Sequence, residues 1–193
     1  MSVTQNVSIR QNFDETCESM LNQLINVVVT RNYNYHGVAY WFDRVDIGLV
    51  GFAQLFRLCA SYNYNLTRKL MDYVVLRGGH VVLGDIPKPD TSLYTTPSDT
   101  LEYMIQSYKE LNDLAISLHK MADENQDANL TDFLEAEIIR PVSKVIRRIG
   151  VLVANVRRAG PGLGEYQVNK HLKVYLTRMV NPTLESVNFS SII

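Results

Sequence analysis

Cysteine is scarce in this chain of 193 residues: Cys17 and Cys59 are the only two. A pair of thiols cannot supply a disulfide framework, so the fold must be held by an ordinary apolar core. Met1 to Gln11 is polar, and no secretory signal is read there. The expected compartment is therefore the reducing cytosol, and the Asn-x-Ser/Thr triplets at Asn6, Asn65, Asn129 and Asn188 are taken as chance matches. No apolar run approaches the roughly 20 residues that cross a bilayer, so no membrane partner is expected. A charge excess is also missing. The formal net charge of -1 gives no global attraction for nucleic acid or an anionic surface. Internal repeats and low-complexity segments are absent as well.

Helix breakers are few and grouped: Pro87, Pro89 and Pro97 in one central stretch, Pro161, Gly162 and Gly164 near the end, and Pro182 in the tail. Long periodic segments lie between them. The spacing of Leu21, Leu24, Val28, Tyr35, Val38 and Phe42 predicts a helix over 13–43, with Asn12 as N-cap and Glu15 three residues on. Phe52, Phe56, Cys59, Asn63, Leu66 and Leu70 stripe a second helix over 49–77, closed by Gly78 and Gly79. Thr96, Pro97 and Asp99 open a third, which ends near Asn125. A fourth carries Phe133, Ile138, Val142, Val145, Ile149, Leu152 and Val156, and stops before Gly160. Inside it stands Pro141, which lacks the N–H that should bond to the Glu137 carbonyl, so a kink or widened turn is expected over 137–141. A fifth helix follows from about Leu163. Helix, short turn, helix, long crossover, helix, short turn, helix is the connectivity of a four-helix bundle, and the expected fold class is all-α.

Arg10-Gln11-Asn12-Phe13, Tyr40-Trp41-Phe42-Asp43-Arg44, Lys69-Leu70-Met71, Arg77-Gly78-Gly79, Asp85-Ile86-Pro87-Lys88-Pro89-Asp90, Leu118-His119-Lys120 and Asp132-Phe133-Leu134-Glu135 occur in that order. These collinear blocks resemble the signatures of animal ferritins over about residues 7–172. The resemblance implies a four-helix bundle with a short fifth helix and a hollow shell of twenty-four subunits. It divides the chain into a ferritin-like domain over 1–180 and a tail over 181–193.

Catalytic ferritin chains carry a di-iron site built from glutamates, a Glu-x-x-His and a glutamine, since carboxylate and imidazole are the donors such iron takes. By resemblance the matching positions here are Val28, Asn63, Leu66, Tyr108 and Val142, with Tyr35 retained beside them. None of the five is a carboxylate or histidine, and the periodicity independently puts all five on core stripes. The expectation drawn from this is a chain that is no enzyme, with a degenerate ferroxidase centre, no cofactor at the di-iron site, and an interior closed by Val28, Leu66 and Val142. Arg31 shares the stripe of Tyr35 and is expected either to snorkel or to donate to Asn63 and Tyr108.

Asp132 and Glu135, one helical turn apart, match the acidic pair of the three-fold channel in such cages, and His119 matches its neighbour. Divalent cations are the ligand this implies. Positions matching the lumen include Arg68, Lys144 and Arg148, and 138–164 contains no acid. The function expected is therefore an iron-storage cage subunit, as a homo-oligomer or co-assembled with a catalytic ferritin chain. The alternative is a protective or chaperone-like cage whose neutral-to-basic lumen holds an anionic cargo. No Ser/His/Asp or Cys/His arrangement is readable.

Overall fold

The computed structural model describes residues 9–180. The expected N-cap at Asn12 is corrected: Asp14 accepts from Thr16 N at 2.8 Å and opens α1 (Glu15–Phe42), while Asn12 itself sits at φ 47°. A tight turn leads to α2 (Val50–Leu76). Its end is a Schellman closure, with Gly78 N bonded to Val75 O and Gly79 N to Val74 O. Gly78 lies at φ 74°, and a Cβ there would press on the backbone of Arg10, so glycine is required for both conformation and space.

The crossover carries one 3-10 turn (Thr91–Leu93) before α3 (Pro97–Glu124). Here the expected cap holds: Thr96 accepts from Asp99 N at 3.2 Å, with Pro97 in the first turn. The fourth rod has three pieces: α4 (Ala128–Leu134), a π-helical turn over Glu135–Ile139, and α5 (Arg140–Ala159). The widened turn therefore falls directly before Pro141. A proline nitrogen cannot donate and its ring crowds the carbonyl four residues back, so one extra residue is looped into the turn. Finally, α6 (Leu163–Val180) packs on α2 and α5.

α1 packs along α2 and against α3, and α3 packs along α5, giving a four-helix bundle with a short fifth helix. Its core is one cluster that runs from Phe13 to Leu176 of α6, and among the described residues there is no strand. Phe42 stacks between Phe52 and Phe56 at centroid distances of 5.4 and 5.7 Å, which locks the α1–α2 hairpin. Both cysteines are buried and free. No helix among the described residues is long and apolar enough to cross a membrane. The tail expected over 181–193 lies outside the described residues.

Candidate functional site

Helical spacing on three elements brings one polar group into the middle of the bundle. Arg31 and Tyr35 stand one turn apart on α1, Cys59 and Asn63 one turn apart on α2, and Ser107 and Tyr108 on α3. Arg31 is 3% exposed. Its NH1 donates to the backbone carbonyl of Ser107 at 2.7 Å, its NH2 donates to the Tyr35 hydroxyl at 3.0 Å, and its guanidinium lies 3.9 Å over the Tyr108 ring. The partners expected for Arg31 are thus corrected: Tyr108 is met through its ring face, and Asn63 turns its amide to Cys59 O at 2.7 Å. A planar cation prefers the ring's negative face once a neighbouring carbonyl and hydroxyl occupy its edge.

Val28, Asn63, Leu66, Tyr108 and Val142 are all buried, as the stripes require. Burial pushes the Tyr35 phenol up to about 12, with Arg31 opposing, and holds the Tyr108 phenol well above its ordinary value, so both stay protonated at neutral pH. Tyr35 is therefore a neutral acceptor that holds a buried guanidinium. Tyr35→Phe should remove that acceptor and lower unfolding free energy by roughly 1.5–3 kcal/mol, the range for a hydrogen bond to a charged group. A denaturant titration showing a loss below about 0.5 kcal/mol would show that the guanidinium does not depend on it.

A second group sits where α3 meets the fourth rod. His119 Nε2 lies 3.1 Å from Glu135 Oε1, and Arg140 donates to Glu135 Oε2 at 2.7 Å. Arg140 first and His119 second hold the Glu135 carboxyl below its usual range. Asp132 is exposed one turn before Glu135. Glu137, on the same turn, is taken by Lys69 at 2.6 Å. Among the described residues no three His, Cys, Asp or Glu side chains converge on a metal position. Arg68 and Lys144 are exposed and Arg148 is half-buried, on the outer faces of α2 and α5. Arg140 is the residue that sequence reasoning missed, because a spacing of five is not a neighbour relation on an α-helix.

The bundle, its crossover and the placement of both groups can be set beside known proteins. A Ferritin-like domain family matches residues 18–159. The chain belongs to the ferritin family. This ferritin is 37% identical over 170 residues to the soma ferritin of Lymnaea stagnalis, covering 88% of this chain and 96% of that one. It is 35% identical over 162 residues to a ferritin heavy chain of Echinococcus granulosus, with 84% and 94% covered. It is 33% identical over 165 residues to a ferritin light chain, oocyte isoform, of Xenopus laevis, with 84% and 93% covered. Its place in the family makes it a subunit of a multi-subunit iron-storage cage.

These relatives overturn the expectation that the chain is no enzyme. Ferritins are ferroxidases as a class, and this chain aligns with ferritin chains, a heavy chain among them, over most of its length. The physical error lies in the step from five side chains to a whole activity. Substitution at Val28, Asn63, Leu66, Tyr108 and Val142 describes one place in one subunit, and by itself it does not decide the activity of an assembled cage.

Proposed function

We propose that twenty-four copies of this ferritin close a cytosolic iron-storage shell, and that ferrous ions, the cargo, reach its lumen through three-fold channels where Asp132, Glu135 and His119 bind them. The observation that supports this most is the meeting of His119 with Glu135 at 3.1 Å beside the exposed Asp132. Three symmetry copies of such a group would put carboxylates and imidazoles around one axis, which a divalent cation favours. Exposed apolar side chains support assembly: Val75 and Leu76 at the end of α2, and Val82, Leu83 and Ile86 in the crossover, form a stretch that a lone subunit would leave wet.

The test is iron uptake by the purified cage. Native particles should contain iron and sediment as a closed shell. The double variant Asp132→Asn/Glu135→Gln should assemble but load iron several-fold more slowly. Uptake at the wild-type rate by this variant would refute the channel assignment, and a monodisperse single subunit would refute the shell.

A further inference from the structure

Resting on that channel reading, we propose that Arg140 is a built-in counter-ion that competes with the incoming cation for Glu135 and so sets the channel's cation affinity. The pairing is a product of the π turn. On a regular α-helix of about 3.6 residues per turn, a residue five positions on points roughly 140° away and cannot reach back. Here the turn over Glu135–Ile139 is widened, the Arg140 backbone N–H bonds to the Glu135 carbonyl, and the two side chains are stacked on one face. The guanidinium then reaches Glu135 Oε2 at 2.7 Å. The interaction is thus doubled, backbone and side chain, between the same two residues.

The consequence is electrostatic. Asp132 and Glu135 alone would offer each subunit's share of the channel two negative charges; Arg140 leaves one. It also lies within electrostatic reach of Asp132, so its positive charge offsets part of the attraction that both carboxylates offer a cation. Both Glu135 oxygens are engaged, Oε1 with His119 and Oε2 with Arg140, so a cation must displace one partner to gain full coordination. Glu137 offers no substitute, since Lys69 holds it. Pro141 stands behind the arrangement, because a residue with an N–H there would let the segment close into an ordinary α-turn and carry Arg140 away from Glu135.

Assembled full-length cages titrated with Co²⁺ in a calorimeter test this. Arg140→Gln should bind Co²⁺ more tightly, by about tenfold if the three guanidiniums around an axis each contribute a modest exposed-pair energy. Pro141→Ala, which leaves Arg140 in place but restores the backbone donor, should shift affinity in the same direction. Arg140→Gln combined with Asp132→Asn and Glu135→Gln should lose the gain. If wild type binds Co²⁺ at these acids and Arg140→Gln binds no more tightly, the counter-ion role is wrong while the channel stands. If neither binds, and removing the acids changes nothing, the channel reading fails and takes the counter-ion with it.

Discussion

Asp127→Ala is expected to destabilise the subunit by roughly 3–5 kcal/mol, the cost of stranding one member of a buried ion pair. Asp127 is 1% exposed. Its Oδ1 accepts from Leu130 N at 3.0 Å, capping α4, and its Oδ2 accepts from Arg77 NH2 at 2.9 Å. Arg77 ends α2, donates to the carbonyl of Asn12 at 2.9 Å, and covers the Phe13 ring at 5.0 Å. One carboxylate therefore joins the end of α2, the start of the fourth rod and the segment entering α1. Removing it leaves a guanidinium with an 11% exposed side chain and no counter-charge, and it also removes a helix cap. Asp127→Asn keeps the capping oxygen and should lose less. Arg77→Met placed on top of Asp127→Ala should recover part of the loss, since no charge is then left stranded. The check is guanidinium-chloride unfolding followed by circular dichroism at equal subunit concentration, because assembly is linked to stability. A loss under about 1 kcal/mol for Asp127→Ala would mean that solvent reaches Arg77 more freely than its burial indicates.

Relations of this kind mark where the sequence stops being readable. Helix limits were legible within two residues, because periodic stripes end at strong local signals: Pro97 after Thr96, the glycines at 78–79, and Gly160. The widened turn was legible too, since a missing N–H at Pro141 is a local fact with a local consequence. The first N-cap was missed by two residues because Asn12 and Asp14 are both good capping types, and the carbonyl of Asn12 is instead held by Arg77 from the end of α2. Partners distant in sequence were illegible. Arg31 lies on a core stripe, but its acceptor is the backbone carbonyl of Ser107, which has no side-chain signature. The pair Glu135–Arg140 was illegible because its spacing becomes a contact only after the π turn exists. The five buried positions were placed correctly in the core, yet the activity of an assembled cage did not follow from them.

Gly51→Ala is expected to have an effect of the same order, roughly 3 kcal/mol, through overpacking at a junction that cannot yield. The start of α2 has no cap of its own: Leu49 precedes it and offers no side-chain acceptor. The acceptor comes from α6 instead. Asn169, 7% exposed, receives Gly51 N at 2.7 Å and Phe52 N at 3.3 Å on its Oδ1, which satisfies two amides that no residue of the hairpin reaches. For this the α6 backbone must come very close, and a Cβ on Gly51 would collide with the backbone carbonyl of Asn169. A flexible side chain could swing aside, but a helix carbonyl moves only if α6 moves, and then both amides lose their acceptor. Two effects therefore add in Gly51→Ala, whereas Asn169→Ala produces only the second and should cost about 1–2 kcal/mol. Asn169→Asp keeps an accepting oxygen at a helix N-terminus and should lose less than Asn169→Ala. Unfolding midpoints measured on all three should fall in that order, with Gly51→Ala lowest. A Gly51→Ala protein as stable as Asn169→Ala would show that α6 shifts without penalty, and that the close approach of the two helices is not what fixes the fifth helix to the bundle.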